Sequence, residues 1–139
     1  MHIRRFRPAD EQAVVRLWVG CDLTRPWNDP HADIARKLAD SPDLFLVGEE
    51  AGVVVGSVMA GYDGHRGWIN YLGVHPSRRG RGLGRALMEA AEERLRALGC
   101  PKINLQVRDD NREAAAFYEA IGYTREPVVS YGKRLISDD

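Results

Sequence analysis

The residues between Trp68 and Leu98 constrain the fold more than any other part of this 139-residue chain. Trp68–Val74 is aromatic and β-branched, which predicts a strand, and His75-Pro76 ends it because proline donates no ladder hydrogen bond. From Leu83 onward, leucine and alanine recur at helical spacing, which predicts a long amphipathic helix. The stretch is therefore a strand, a turn and a helix.

The turn between the strand and the helix reads Arg78-Arg79-Gly80-Arg81-Gly82-Leu83-Gly84. Free amides of the first helical turn, the positive end of the helix dipole and the arginines predict a site for a phosphate or pyrophosphate. The alternative is a flexible turn with exposed arginines. The spacing fits neither a P-loop, which needs Gly-Lys-Ser/Thr, nor the dinucleotide pattern G-x-G-x-x-G.

Composition restricts the remaining possibilities. A formal net charge of zero argues against nucleic acid or an anionic membrane as a partner. No apolar run approaches the length of a membrane span and no signal peptide is recognisable, so we expect a cytoplasmic protein. Cys21 and Cys100 match no metal spacing, and we expect no metal.

The pattern along the chain predicts the element order β-α-α-β-β-β-α-β-α-β in one domain, residues 1–139. Asp10 is the expected cap of the first helix, and Lys102–Val107 is the expected parallel return strand. One or two last strands are expected within Val128–Ile136. The predicted fold class is α/β (mixed α+β), with a six- to seven-stranded mixed sheet flanked by helices on both faces.

Two motifs carry a resemblance to a known family. Arg79-x-x-Gly82-x-Gly84 is similar to the acetyl-CoA loop, R/Q-x-x-G-x-G/A, of the GNAT superfamily of N-acetyltransferases. The run from Asn111 to Tyr123 is similar to that family's N-x-x-A-x-x-x-Y-x-x-x-G-F/Y signature. The element order is also that of the GNAT fold, and the segments 25–30, 63–66 and 100–102 resemble its bacterial YpeA-type branch.

The resemblance implies an acetyl-CoA site in which loop amides hold the pyrophosphate and the fourth strand pairs with the pantetheine arm. It places these residues at the co-substrate: Leu72, Val74, Arg79, Gly80, Arg81, Gly82, Leu83, Gly84, Asn111 and Tyr118. Tyr118 would protonate the departing thiolate as general acid. The alternatives are that Asn111 only caps the last helix and that Tyr118 is a core aromatic with a satisfied hydroxyl.

The general base is not assigned by the resemblance. Many family members carry a glutamate on strand four or five, but the matching positions here are Trp68 and Gln106. Asp63 and His65 are candidates for a base relay, and Asp29 and Glu49 are further candidates. Without a placed carboxylate, an α-amine is favoured, because deprotonating it at pH 7 costs about 1 kcal/mol against about 4–5 kcal/mol for a lysine amine.

The loop between the first two helices is expected to face the acceptor. Candidate substrate contacts are Arg25, Trp27, Asn28, Asp29 and Tyr71. The predicted activity is transfer of an acetyl group from acetyl-CoA to a primary amine, by direct attack in a ternary complex. The amine belongs to a small molecule, an amino acid or a peptide N-terminus, and the protein is a monomer or homodimer. The alternatives are a non-catalytic CoA-binding module and an interaction protein that docks through Trp27.

Overall fold

Five strands form one sheet in the order β1-β2-β3-β4-β5 in the computed structural model, which describes residues 1–139. They are β1 (His2–Arg5), β2 (Phe45–Glu50), β3 (Val53–Tyr62), β4 (Gly67–Val74) and β5 (Ile103–Leu105). Neighbours are antiparallel except β4 and β5, which are parallel. The predicted antiparallel meander and the parallel return strand are therefore confirmed.

Four α-helices cover the two faces of the sheet. They are α1 (Glu11–Gly20), α2 (Pro30–Asp40), α3 (Leu83–Ala97) and α4 (Arg112–Ala120). Helices α1 and α2 enclose one apolar cluster with the sheet, whereas α3 and α4 enclose a second cluster on the opposite face. None of the helices combines the length and the hydropathy that crossing a membrane requires.

Strand β2 shows why the sheet needs helices on both sides. Its side chains alternate in direction, so Phe45 and Val47 enter the cluster under α1 and α2 while Leu46 enters the cluster under α3. All three are fully buried. A strand that is apolar on both faces is stable only when both faces are covered.

Strands β4 and β5 part after a short contact. Only Gly67–Ile69 pair with Ile103–Leu105, so the rest of β4 has no strand beside it on that edge. At Tyr71 the backbone adopts a left-handed conformation (φ 53°), where the register between β3 and β4 shifts. The return strand is therefore shorter than the predicted Lys102–Val107, and a gap opens beside β4.

The predicted fold class is confirmed, but the sheet has five strands rather than six or seven. The expected last strands within Val128–Ile136 are absent, and the segment is exposed. Pro127 removes a backbone donor at its start. Side chains hold the tail instead: Glu126 accepts from Asn104 (2.7 Å) and Ser130 accepts from Gln106.

Asp10 occupies the N-cap position of α1, as predicted, but its carboxylate accepts from no amide of that helix because it already has other donors. It accepts from the guanidinium of Arg4 (2.8 and 2.9 Å) and from the Arg7 amide (2.8 Å). The hydrogen bond from Arg4 holds the pKa of this carboxyl below its usual range. Asp10 therefore ties β1 to the turn that precedes α1.

Candidate active site

The loop that joins β4 to α3 presents a run of free backbone donors. No group of the protein accepts a hydrogen bond from the amides of residues 79–85, which we call the amide loop. Gly80 and Gly82 have φ of 78° and 77°, a left-handed conformation that glycine adopts without strain. Gly82 is the N-cap of α3, so the amide loop sits at the positive end of the helix dipole. It is built to bind an anion.

The arginines of this region have separate roles. The Arg79 side chain folds back, and its Nε donates to the carbonyl oxygen of Val74 (3.1 Å), which ties the loop to the end of β4. Arg78 and Arg81 pair with Glu50 at 3.2 and 3.5 Å. Arg78, Arg79 and Arg85 line the cleft beside the loop, whereas Arg81 does not.

Gly84 serves packing rather than a turn. A methyl group there would lie 3.2 Å from the ring of Phe117 on α4 and 3.8 Å from Val74 on β4. The missing side chain lets the first turn of α3 approach both elements. The amide loop, the free edge of β4 and helix α4 thereby meet around one space.

This space is a cleft of about 1490 Å³. It runs from the amide loop along the free edge of β4 and reaches α2 on the other face of the sheet. It brings together twelve of the predicted site residues: Arg25, Asn28, Tyr71, Leu72, Val74, Arg79, Gly80, Gly82, Leu83, Gly84, Asn111 and Tyr118.

Tyr118 on α4 lines the cleft from the face covered by α3 and α4. Its ring is fixed by edge contacts with Phe117 (5.1 Å between centroids) and Tyr123 (5.8 Å). Its hydroxyl makes no hydrogen bond within the protein, whereas the hydroxyl of Tyr123 donates to Glu92 (2.6 Å). Burial raises the pKa of Tyr118 to about 12, so the phenol keeps its proton at neutral pH.

Asn111 caps α4. Its side-chain oxygen accepts from the amide of Ala114 (3.0 Å), and the residue also lines the cleft. The oxygen is thus engaged in the cap, while the side-chain nitrogen has no partner in the protein. Asn111 is able to cap the helix and to donate into the cleft at the same time.

Six predicted site residues lie outside the cleft lining: Trp27, Asp29, Glu49, Asp63, His65 and Arg81. Asp63 stabilises the turn between β3 and β4, where it accepts from the amides of His65 (2.8 Å) and Arg66 (2.7 Å). Those backbone hydrogen bonds hold the pKa of its carboxyl below the usual range. The structure does not bring Asp63 and His65 to the strand gap.

The remaining candidates near the acceptor side have structural partners. Asp29 is the N-cap of α2 and accepts from the His31 amide (2.9 Å), and Glu49 pairs with Arg4 (3.2 Å). Trp27 is 53 % exposed and lies under the guanidinium of Arg108 (5.9 Å). Of the loop residues, Arg25 and Asn28 face the cleft.

Sequence reasoning missed the residues that α2 and the tail contribute to the cleft. Asp33 accepts a hydrogen bond from the hydroxyl of Tyr71 (2.6 Å), and Ser130 reaches the cleft from the C-terminal tail. Asp33 carries only the ordinary signal of an acid in the first turn of a helix. Its pairing with β4 depends on how two distant segments pack, and no local pattern encodes that.

A cleft with an anion site at one end and a gap in the sheet beside it suits the long thioester that acetyltransferases use. The order and pairing of the strands and helices also fit an acetyltransferase fold. The chain belongs to the acetyltransferase (GNAT) family, whose sequence model matches residues 12–123. That membership makes it an N-acetyltransferase.

Relatives and solved structures agree with the family assignment. The chain is 58 % identical over 139 residues to an acetyltransferase of Sodalis glossinidius, covering 99 % of this chain and 98 % of that one. It superposes on Ard1 from Thermoplasma volcanium with a TM-score of 0.80 and 32 % identity, over 88 % and 82 % of the two chains. AAC(6')-Iy in complex with the bisubstrate analogue CoA-S-monomethyl-acetylneamine has the same fold (TM-score 0.77, 22 % identity, 96 % and 98 % covered).

Proposed function

We propose that the protein transfers an acetyl group from acetyl-CoA to a primary amine by direct attack in a ternary complex. The observation that carries the proposal is the run of free amides at residues 79–85 beside the unpaired edge of β4. The amides and the α3 dipole bind the pyrophosphate of CoA, with Arg78, Arg79 and Arg85 adding positive charge. Leu72 and Val74 lie along the pantetheine arm.

The thioester then lies in the gap between β4 and β5. Tyr118 donates its proton to the sulfur as the thiolate leaves, because its hydroxyl has no other partner and its ring is held in place. Asn111 donates its free side-chain amide to the pantetheine. Holding amine and thioester in line supplies most of the rate enhancement.

The acceptor enters from the face covered by α1 and α2. Arg25, Asn28 and Tyr71 line the cleft there and are the proposed substrate contacts. The structurally related AAC(6')-Iy is described with a bisubstrate analogue that joins CoA to acetylneamine. The proposed acceptor is the amine of a small molecule, an amino acid or a peptide N-terminus.

Two measurements test the proposal. Isothermal titration calorimetry with CoA and acetyl-CoA measures binding, and release of free thiol from acetyl-CoA measures turnover with amines, amino acids, polyamines and peptide N-termini. We expect binding of both nucleotides and turnover with at least one acceptor. Absence of binding contradicts the co-substrate, whereas binding without any turnover favours a CoA-binding module.

A further inference from the structure

Many members of the family carry a glutamate on strand four or five as the general base, but Trp68 and Gln106 stand at the matching positions here. The lining of the cleft offers other carboxylates. Four carboxylates line it: Asp22, Asp33, Asp40 and Glu113. The side chain of Asp22 is 96 % exposed, and Asp40 and Glu113 are exposed residues of α2 and α4. Only Asp33 is hydrogen-bonded to β4, the strand that borders the gap.

The partner of Asp33 is held unusually firmly. The ring of Tyr71 stacks on that of Trp18 on α1, with 3.8 Å between centroids. The carbonyl oxygen of Tyr71 accepts from the hydroxyl of Ser57 (2.9 Å), which in turn accepts from the indole nitrogen of Trp18 (2.8 Å). The left-handed backbone at Tyr71 is thus fixed by two buried residues, and its phenol is aimed at α2.

Asp33 is therefore oriented by donors from two elements. One oxygen accepts from the Tyr71 hydroxyl (2.6 Å) and the other from the guanidinium of Arg36 (3.1 Å). Burial and this carboxylate raise the pKa of Tyr71, so the phenol remains a donor and Asp33 remains the acceptor. The Asp33 side chain is 25 % exposed, and its remaining lone pairs are open to the cleft.

Asp33 and Tyr118 approach the cleft from opposite faces of the sheet. Tyr71 packs in the cluster under α1 and α2, and Tyr118 packs in the cluster under α3 and α4. The same cleft reaches both through the gap beside β4. A group that accepts a proton and a group that donates one thus lie on opposite faces of the sheet, with the thioester between them.

We propose that Asp33 is the general base of the acetyl transfer and that Tyr71 is the positioning residue that holds it, an inference that rests on the proposed function. Asp33 takes one proton from the ammonium form of the acceptor and passes it to solvent. The amine nitrogen then bonds to the carbonyl carbon as the C–S bond breaks. The sulfur takes the Tyr118 proton, and the second amine proton restores that hydroxyl through water.

Other charged groups lie near Asp33, but none of them is placed to act as the general base. Arg36 on α2 bonds both Asp33 and Asp138 of the C-terminal tail, and Asp29 lies at the start of α2. Asp138 also accepts from the Asp29 amide (2.9 Å), and the hydrogen bond from Arg36 lowers its pKa to about 2. Asp138 does not line the cleft, so it does not face an acceptor that binds there.

The test compares Asp33→Asn with Asp43→Asn. Asp43 lies outside the cleft lining and its side chain is 76 % exposed, so the control makes the same charge change away from the site. The probes are methylamine, which is protonated at pH 7, and hydroxylamine, which is largely neutral. These small amines require no knowledge of the natural acceptor, and thiol release is corrected for the uncatalysed reaction.

We expect Asp33→Asn to lower kcat/KM for methylamine at pH 7 by about 100-fold, at the lower end of what a general base contributes. Activity should recover as the pH rises, and hydroxylamine turnover should change less than about threefold, because a neutral amine needs no base. Asp43→Asn should leave both rates unchanged. Calorimetry should give the same affinity for acetyl-CoA in all variants.

Equal losses with both amines, or no loss with methylamine, overturn the assignment of Asp33. If Asp33→Asn does not fold, Tyr71→Phe serves instead, because it keeps the ring stacked on Trp18 and removes only the donor. Tyr71→Phe should show the same contrast between the amines, about tenfold, and no contrast overturns the assignment. If the wild-type protein uses neither amine, the same pH comparison is made with an acceptor that the wider panel identifies. Acetyl-CoA binding without turnover of any member of that panel contradicts the proposed function itself.

Discussion

Three tyrosines of this chain show how the surroundings decide what one residue type does. The hydroxyls of Tyr71 and Tyr123 each donate to a carboxylate at 2.6 Å, and the pKa of each is raised. The Tyr118 hydroxyl has no partner and opens on the cleft. A buried tyrosine usually satisfies its hydroxyl, and this exception supports the proposed role of Tyr118 in the reaction.

Replacing Tyr118 with phenylalanine should affect turnover and not stability. We expect Tyr118→Phe to lower kcat by about 100-fold, because a general acid contributes at least that much, while the affinity for acetyl-CoA stays within about twofold. The free energy of unfolding should change little, since the hydroxyl bonds nothing in the protein. Thiol release, calorimetry and urea unfolding measure the three quantities.

Tyr123→Phe is the matched control with the opposite profile. It removes the hydrogen bond to Glu92, which should cost about 1–2 kcal/mol of stability because the partner is charged. Its kcat should equal that of the wild type. Similar kcat values for the two variants would remove Tyr118 from the mechanism. The pKa of about 12 also predicts that the rate shows no alkaline loss from Tyr118 up to about pH 10.

Asp10 provides a stability test away from the cleft. The side chains of Arg4 and Asp10 are each 11 % exposed, so Asp10→Asn leaves a largely desolvated guanidinium without the charge of its main partner. We expect a loss of about 2–3 kcal/mol, less than for a fully buried pair. Asp43→Asn, which breaks an exposed pair with Arg5, should cost less than about 0.5 kcal/mol. Equal losses in urea unfolding would contradict this account.

The sign of the pH effect follows from the lowered pKa of Asp10. Its contribution is complete above the unfolded value of about 4 and is lost as the pH falls through the lower folded value. The wild type should therefore lose stability as the pH falls below about 4. Asp10→Asn should show a shallower decline below that pH, measured by urea unfolding at each pH.

At the scale of elements, the start of α3 depends on glycine for two separate reasons. Gly80 and Gly82 supply a left-handed backbone, and open space lies where their side chains would be. Gly84 supplies the close approach of α3 to Phe117. The glycine-rich pattern was readable from the sequence, but these distinct roles follow only from the packed structure.

Gly82→Ala should weaken the binding of CoA. A methyl group at φ 77° costs about 1–2 kcal/mol, and relieving it turns amides of the loop away from the pyrophosphate. Losing even one charge-assisted hydrogen bond, about 1.5–3 kcal/mol, should raise the Kd for CoA at least about tenfold. Calorimetry measures it. Gly132→Ala, where the added methyl group meets nothing, should leave the Kd unchanged, and equal affinities for both variants would contradict the site.

Local patterns predicted much of the fold. The strand–turn–helix of residues 68–98 and the parallel return have strong hydrophobic periodicity, and both form. The anion site at the amide loop was predicted from different features: the arginines and glycines of the turn and the helix that follows it. The bond between Tyr71 and Asp33 was not predictable, because it joins residues 38 positions apart through tertiary packing. The missing strands within Val128–Ile136 show that apolar residues alone do not form a strand without a free sheet edge in register.

At the scale of the whole molecule, the two ends of the cleft are built by different parts of the chain. The co-substrate end is local, from β4 through the amide loop to α3, and α4 completes it. The proposed acceptor end combines the loop after α1, helix α2 and the C-terminal tail, which reaches back to Arg36 and the Asp29 amide through Asp138. This division allows the co-substrate end to stay constant while the loops of the acceptor end change with the acceptor.

Docking of the tail should depend on the Asp138 carboxylate. Its side chain is 4 % exposed and is held by Arg36 and Arg134, so we expect Asp138→Asn to release the tail. Trypsin should then cleave after Lys133 and Arg134 about tenfold faster, because cleavage follows the population of the open state. Asp139→Asn changes the neighbouring, exposed carboxylate and should cleave at the wild-type rate. Equal cleavage of the two variants would mean that other contacts hold the tail.

The hydrogen bond from Arg36 lowers the pKa of Asp138 to about 2, so acidification to pH 4 should not release the tail. Hydrogen exchange of the Asp29 amide, which donates to Asp138, measures docking at that pH. Faster exchange of this amide at pH 4, beyond its intrinsic pH dependence, would contradict the prediction.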